Sequence, residues 1–147
     1  MQAMTFALAT TLLLGGCTNI SELSDQILDE SKQLWAAQGP PSYTLILLRG
    51  CTCLGPQTAI TVEVRNRAVV SRSYSDGTPL EPQWASQYPD VPGLFAFIDL
   101  TRAQQVYSWG AEYHPVYGYP TAIRVNYDPG TTADDFAYVV NDMIPVP

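Results

Sequence analysis

Positive charge is scarce in this sequence. Its 147 residues include 7 basic and 14 acidic side chains, for a net charge of −7, and Lys32 is the single lysine. Such a chain is a poor partner for phosphate backbones, so nucleic-acid binding is excluded as a function class. The length fits one domain. Hydrophobic residues make up 46% of the chain, which is enough for a globular core and too many for a disordered protein.

Residues that commonly carry catalysis are also few. The sequence has one histidine, His114, and no Gly-x-Ser-x-Gly motif. In a strand, Glu112 and His114 would point to the same face, where the carboxylate could orient the imidazole as a general base. A surface histidine at a hairpin explains the same residues, and no nucleophile is indicated. The sequence therefore predicts no catalytic residue, no cofactor and no metal site.

Long hydrophobic runs are absent as well. Residues 1–16 contain no charged side chain, but their apolar run, 6–14, is much shorter than the ~20 residues of a membrane-spanning helix. It ends in Leu-Gly-Gly-Cys, which resembles the lipobox of bacterial lipoproteins. Residues 1–16 are thus predicted to be a signal peptide. The alternative is an apolar N-terminal helix packed on the domain.

That resemblance implies lipidation of Cys17 as the mature N-terminus. Residues 17–30 would then form the lipidated terminus and the start of the first helix, and residues 31–147 a single globular domain. The expected location is the bacterial cell envelope. The protein would be held to a membrane by its lipid and exposed to the periplasm or the cell exterior.

The sequence has three cysteines, which divide into a single residue and a pair. Cys17 is assigned to lipid, and Cys51 and Cys53 remain as a pair at the end of a predicted strand. In an oxidising compartment they are expected to form a disulfide, with Gly50 and Gly55 supplying the bend that it needs. A structural bridge and a redox-active one both fit this spacing. Two thiolates with one distant histidine do not complete a zinc site.

Hydrophobic periodicity predicts two helices and six strands. The first helix covers 19–38, and the second begins at 90, with Asp90 as its cap, and fades near 107–110. The predicted strands are 42–49, 58–65, 68–74, 111–114, 121–127 and 136–143. The fold class is α+β, an antiparallel sheet with both helices on one face and an α-β-β-β unit that occurs twice.

Aromatic residues crowd around the predicted hairpin near residue 117. Tyrosine combines a large contact area with a polar tip, so Tyr113, Tyr117 and Tyr119, together with His114, are candidate binding residues. Cross-strand aromatic pairs also stabilise a sheet without any partner. The Tyr119–Pro120 bond is a candidate for a cis peptide, although most such bonds are trans.

The acidic segment before the last strand admits two interpretations. Asp128, Asp134, Asp135 and Asn126 could suggest calcium, but their spacing does not match an EF-hand loop. Turn acids that bond backbone amides explain them better.

An ordered set of short motifs resembles a bacterial secreted and lipoprotein family, domain of unknown function DUF6174. The resemblance covers about residues 31–143 and departs at the 66–67 turn, where Asp-Gly is expected. Its elements are Trp35, Tyr43, Cys51-Thr52-Cys53, the hairpin 58–74, Leu94-Phe95, Tyr113, Gly118-Tyr119-Pro120-Thr121 and Asp134-Asp135. The family has no established activity, so the resemblance implies context and no chemistry.

These observations predict a lipid-anchored envelope domain that acts as a non-catalytic binding or structural module, with an envelope protein as its partner. Two alternatives stay open. One is an envelope thiol/disulfide redox protein or hydrolase that uses Cys51 and Cys53 or His114. The other is an inhibitor of an envelope enzyme that presents the tyrosine-rich loop to its target.

Overall fold

The computed structural model describes residues 20–147. The predicted signal peptide and Cys17 lie outside the described residues. Within the described residues, none of the helices is both long and apolar enough to span a bilayer.

Nine elements follow one another along the described part of the chain. Two are α-helices and one is a short 3-10 helix within the segment that the sequence predicts as a loop. The helices are α1 (Ile20–Gln38), η1 (Pro82–Gln87) and α2 (Val91–Ala103), and the strands are β1 (Tyr43–Cys51), β2 (Ile60–Arg65), β3 (Ala68–Ser73), β4 (Ser108–Tyr113), β5 (Pro120–Asn126) and β6 (Phe136–Pro145).

The six strands form one sheet in the order β3-β2-β1-β6-β5-β4, and every neighbouring pair is antiparallel. The predicted α+β class is confirmed. The strand order places two α-β-β-β units side by side, so that the first strand of one unit pairs with the last strand of the other. The longest pairing in the sheet, from Tyr43 opposite Pro145 to Cys51 opposite Phe136, forms this junction.

The core lies between one face of the sheet and the two α-helices. Alternate residues of β1 and β2 are buried on that face, as the two-residue period of a strand requires. Trp35 of α1 packs edge-on against Tyr43, with ring centroids 5.4 Å apart, and Phe97 of α2 lies 5.2 Å from the ring of Tyr138. Both helices therefore cover the same face, and no helix within residues 20–147 covers the other face.

Two partly exposed ion pairs link α1 to α2. Lys32 Nζ lies 2.7 Å from Asp99 Oδ1, and Arg102 Nη2 lies 2.7 Å from Asp25 Oδ1. In each pair, one residue comes from α1 and the other from α2. The pairs are partly exposed, so each is worth only a fraction of a kcal/mol, on the order of 0–1 kcal/mol.

The second helix is shorter than its sequence predicts. It begins at Val91, where the Asp90 carboxylate accepts a hydrogen bond from the Gly93 amide at 2.9 Å, but it ends at Ala103. Gln105 adopts a positive φ of 52°, which breaks the helical geometry. The following residues are β-branched and aromatic, and β4 therefore starts at Ser108, three residues before the predicted strand.

The structure defines the backbone at two of the connections between strands. Asn66 and Arg67 both have positive φ, at 49° and 65°, which is the conformation of a two-residue type I′ hairpin turn and confirms the turn position. The Tyr119–Pro120 bond is trans, since the described residues contain no cis peptide. The last strand extends to Pro145, two residues beyond its predicted end.

Candidate functional site

A concave surface of about 490 Å³ lies on the uncovered face of the sheet. We call it the trough. It crosses β1, β6, β5 and β4 near one end of the sheet, and the connection between β5 and β6 closes one side. Its lining comprises Gly50, Cys51, Thr52, Ser108, Trp109, Gly110, Arg124, Val125, Asn126, Thr132, Asp135, Phe136 and Ala137.

The floor of the trough is a row of residues that share one register position across four strands. Gly50 lies opposite Ala137, Ala137 opposite Arg124, and Arg124 opposite Gly110. A Cβ atom added at Gly110 would meet nothing within 4 Å, and one at Gly50 would meet only the Ala137 Cβ at 3.8 Å. The floor is therefore low because three of its four residues have little or no side chain.

Arg124 has the one long side chain in this row, and this side chain extends to Glu112 on the neighbouring strand β4. Arg124 Nη1 donates to Glu112 Oε1 at 2.7 Å, and both side chains are largely exposed, at 62% and 67%. An ion pair this exposed stabilises the fold little. Arg124 is thus a cation at the floor of the trough, with a partner that it can exchange.

Two acceptor oxygens at the adjacent register position have no donor. Asn126 Oδ1 and Asp135 Oδ1 are shielded from solvent and have no hydrogen-bond partner in the described part of the protein. Both residues line the trough. Leaving a shielded polar atom unpaired costs about 1–3 kcal/mol. A molecule in the trough does not reach these two oxygens without a rearrangement of their side chains, because neither has accessible surface.

Cys51 and Cys53 meet at the rim of the trough. Their Cα atoms are 5.2 Å apart, within the range of native disulfides, and the structure bonds the two sulfurs. Thr52 and Cys51 line the trough, whereas Cys53 is exposed. The pair terminates β1 and starts a tight loop, in which Gly55 has a positive φ of 112°, whereas Gly50 lies within β1.

A buried arginine, Arg49, forms a hydrogen bond with the backbone of this loop. Arg49 is only 4% exposed, its guanidinium donates to the Leu54 carbonyl, and its Cζ lies 5.7 Å from the centre of the Tyr88 ring. No carboxylate pairs with it among residues 23–147, whose side chains the structure describes. The Tyr88 hydroxyl donates to the Pro56 carbonyl at 2.8 Å. Leu54, at the tip, remains 83% exposed.

The predicted binding residues of the tyrosine-rich hairpin form a structural turn. His114 Nδ1 accepts hydrogen bonds from the amides of Val116 and Tyr117, both at 3.2 Å. The imidazole also stacks on the Tyr119 ring, with centroids 4.8 Å apart. Nδ1 is therefore engaged by the backbone, and the nearby carboxylate of Glu112 pairs with Arg124, so the two residues do not form the imagined acid–base pair.

Tyr119 and Tyr113 belong to the core side of the sheet. Tyr119 is 6% exposed and lies 6.3 Å from the ring of Trp35, and Tyr113 stacks on Phe95 at 6.4 Å. Burial raises the pKa of Tyr113 to about 12 and also raises that of Tyr119. Tyr117 is half-buried beside His114. The structure thus brings the four predicted residues together, but mainly against α1 and α2.

Gly118 explains how the turn approaches α1. Its φ is +77°, and a Cβ atom there would overlap the carbonyl oxygen of Ser31 and lie 3.0 Å from the Leu34 Cβ. Only glycine accommodates both the backbone conformation and the contact. The hairpin is consequently seated on the helix and does not project freely.

The acidic segment separates into turn residues and trough residues. Asp128 Oδ1 accepts from the Gly130 amide at 2.7 Å, which is the turn role that the sequence favours. Asp135 faces the trough, as described above. Among the described residues, the acidic, cysteine and histidine side chains form no group of three that could hold a metal ion.

The sequence alone did not indicate the trough. Gly50, Arg124 and Gly110 carry no motif and are far apart along the chain, and only the strand order places them in one row. The available signal was weak: glycines inside strands mark places where another molecule or backbone approaches closely.

Comparisons with known proteins give one match. The model of a family described as "Family of unknown function (DUF6174)" matches residues 27–145. No curated protein and no solved structure matches the chain.

Proposed function

The chain belongs to this family of unknown function (DUF6174), and on that premise we propose that it is a lipid-anchored bacterial cell-envelope protein whose domain is a non-catalytic binding module. The trough is the observation that carries the proposal. It combines a backbone-lined floor, an exchangeable cation and the polar side chains of Asn126 and Asp135 in its lining. Such a mixture of open apolar surface and a few convergent polar groups is typical of binding sites.

The anchoring part of the proposal rests on the sequence. The short uncharged segment 1–16 followed by Leu-Gly-Gly-Cys supports cleavage before Cys17 and acylation of its sulfur. Intact-mass spectrometry of the native protein tests this directly, because it reports the cleaved chain and the acyl mass together. We expect the Cys17→Ser variant to leave the membrane fraction. Retention of residues 1–16 with an unmodified Cys17 would contradict the anchor.

The binding part can be tested in living cells with a photo-crosslinking residue. Placed at Gly110, on the floor of the trough, it should give discrete adducts in the envelope. Placed at Val70, which is 56% exposed on the edge strand at the opposite side of the sheet, it should not. Identical adduct patterns at the two positions would contradict binding in the trough. Substrate turnover by the purified protein would contradict the non-catalytic assignment.

The structure also bears on the hydrolase alternative. His114 is stacked on Tyr119 and its Nδ1 accepts two amide hydrogen bonds, so its role in the described structure is to stabilise a turn. The trough, by contrast, has no histidine in its lining. A binding role is compatible with the contacts that His114 makes, whereas a general-base role in hydrolysis would require His114 to give up its hydrogen bonds to the turn.

A further inference from the structure

The Cys51–Cys53 bridge encloses very little of the chain. Its two cysteines are two positions apart, so Thr52 is the only residue between them. A disulfide stabilises a fold mainly by restricting the unfolded chain, and this effect decreases as the closed loop becomes shorter. The bridge therefore contributes little to the free energy of unfolding, and stability alone does not account for the pair.

The loop that follows β1 has contacts that do not depend on the bridge. The Arg49 guanidinium donates to the Leu54 carbonyl from inside the domain. The side-chain amide of Gln57 donates to the Cys53 carbonyl at 3.1 Å. These hydrogen bonds involve backbone oxygens and no sulfur, so they persist when the two sulfurs separate. We therefore expect the reduced chain to keep its fold and to re-form the bridge on oxidation.

The two cysteines differ in their access to solvent. Cys53 is exposed, and it lines a concave surface together with Leu54 and Gln57. Cys51 is half-buried and is paired with Phe136 in the sheet. The rate of thiol–disulfide exchange depends on which sulfur is attacked and on access to it. A thiolate from solution therefore reaches Cys53 more readily than Cys51.

Arg49 places a positive charge beside the pair. Its guanidinium is buried, and its direction is fixed by the hydrogen bond to Leu54, the residue next to Cys53. Arg49 and Cys51 are two positions apart on β1, so their side chains leave the same face of the strand. A nearby cation stabilises a thiolate. No carboxylate among residues 23–147 neutralises this guanidinium, so its charge remains available to a departing sulfur.

We propose that the Cys51–Cys53 bridge is a thiol–disulfide exchange site that accepts two electrons from an exposed dithiol. Cys53 is the attacked sulfur, and Cys51 is the leaving group. The site lies beyond the proposed binding function and needs no ligand in the trough. Each chain carries one such bridge and reacts once, so the exchange is stoichiometric and is not turnover of a substrate.

The exchange takes place in two steps. One thiolate of the dithiol attacks the Cys53 sulfur, the Cys51–Cys53 bond breaks, and its electron pair leaves on the Cys51 sulfur. The second thiolate of the dithiol then attacks its own sulfur in this mixed disulfide, which closes the dithiol into a disulfide and releases Cys53 as a thiolate. Two protons from the dithiol end on the two cysteines. The pair is reduced by two electrons, and the dithiol is oxidised by two.

The site of attack can be mapped with glutathione. The full chain carrying Cys17→Ser has only Cys51 and Cys53 as cysteines. The oxidised chain is mixed with reduced glutathione in native buffer and quenched with acid at short times, and peptide mass spectrometry locates the adduct. We expect about tenfold more adduct on Cys53 than on Cys51. Equal amounts on the two cysteines, or an excess on Cys51, would overturn the proposal.

Reduction of the folded chain is the second requirement. Dithiothreitol, a small dithiol, should reduce the bridge completely in native buffer, while circular dichroism shows that the fold is retained. A bridge that opens only after the chain has unfolded would overturn the proposal, because it would then be a structural disulfide.

Variants of Arg49 separate its charge from its packing. Arg49→Met removes the charge and should slow reduction by dithiothreitol about tenfold, whereas Arg49→Lys keeps the charge and should react at nearly the original rate. Arg65→Met is the matched control, because Arg65 lies at the end of β2 and pairs with Glu63. Its reduction rate should not change. Equal rates for the two Arg49 variants would refute the role of the guanidinium charge.

A comparison of the folded and unfolded chain decides the same point where an Arg49 variant does not fold. Urea removes the fixed position of the guanidinium but leaves Cys51 and Cys53 two positions apart. We expect dithiothreitol to reduce the native chain several-fold faster than the urea-unfolded chain at the same pH. Equal or slower reduction of the native chain would overturn the proposal, because the fold would then not assist the exchange.

Discussion

Substitution of Gly118 by alanine tests whether the tyrosine-rich turn is seated on α1. Two separate costs follow from the structure. The residue has φ +77°, a conformation that costs an L-residue about 1–2 kcal/mol. The new methyl would also overlap the Ser31 carbonyl oxygen and lie 3.1 Å from the Trp35 amide nitrogen. Forcing extra volume into a packed contact costs typically about 1–3 kcal/mol.

Gly77→Ala provides the matched control. Gly77 also has a positive φ, +85°, but a Cβ atom there meets nothing within 4 Å. Gly77→Ala therefore has only the conformational cost of a positive φ, without a steric overlap. We expect Gly118→Ala to lower the free energy of unfolding by about 3 kcal/mol and the midpoint of thermal unfolding by about 10 °C. The control should lose about 1–2 kcal/mol.

Denaturant unfolding monitored by tryptophan fluorescence measures both variants, since Trp35 lies at the contact. The difference between their free energies of unfolding isolates the contact with α1. If the two variants lose the same stability, the turn does not rest on the helix. Tyr117 and Tyr119 would then be free to form the interface that the sequence suggests.

Three further substitutions address other parts of the fold. Tyr43→Phe should lower the free energy of unfolding by about 1–2 kcal/mol in denaturant, because the buried Val91 amide, 3.1 Å from the Tyr43 hydroxyl, loses its acceptor. Tyr74→Phe is the control. The Tyr74 hydroxyl donates to an exposed glutamate, so its loss should leave the free energy of unfolding nearly unchanged. Burial raises the pKa of Tyr138 to about 12 from an ordinary value near 10, so the stability that its neutral phenol contributes is complete below pH ~10 and is lost as the pH rises through ~12. The loss in the free energy of unfolding should reach about 2–3 kcal/mol. Absorbance at 295 nm follows the ionisation of the tyrosines. Identical titrations of the native protein and Tyr138→Phe above pH ~10 would contradict the raised pKa of Tyr138. Asp90→Ala should destabilise α2 by about 1 kcal/mol in thermal unfolding, whereas Asp90→Asn, which keeps a capping oxygen, should not.

The elements of the fold could be predicted because their signals are local. Alternation of Ile60, Val62 and Val64 with polar residues marks β2, and each of the three is buried as the pattern requires. Asn66 tolerates positive φ, which predicts the hairpin turn. The end of α2 could not be predicted, because Gln105 gives no sequence signal for the positive φ that terminates the helix.

The role of the aromatic residues could not be predicted in the same way. Tyr119 and Tyr113 offer the same surface chemistry whether they face a partner or a helix. The decision depends on the approach of α1 to Gly118, a contact between residues more than eighty positions apart. Local sequence indicates that the aromatics cluster, and tertiary packing determines what they touch.

The trough depends on the strand order of the sheet. Within each α-β-β-β unit, successive strands are neighbours, so each unit can form locally. The pairing of β1 with β6 joins the first strand of one unit to the last strand of the other and has the largest separation along the chain. Such a pairing cannot be read from the periodicity of either segment alone.

Because the trough spans the pairing of β1 with β6, a bound ligand should stabilise that pairing. The floor takes Gly50 from the first unit, and Ala137, Arg124 and Gly110 from the second. The rim takes Thr52 from the loop that Arg49 and the cysteine pair hold in place, and Thr132 from the connection between β5 and β6. A ligand in the trough therefore contacts both units, and its binding energy adds to the β1–β6 pairing, because only the joined sheet offers the complete site. Occupancy should consequently protect the amides of β1 and β6 from hydrogen exchange more than those of β2 and β3, which belong to one unit and lie outside the trough. Uniform protection across the sheet would show that the ligand stabilises the domain without contacting the junction.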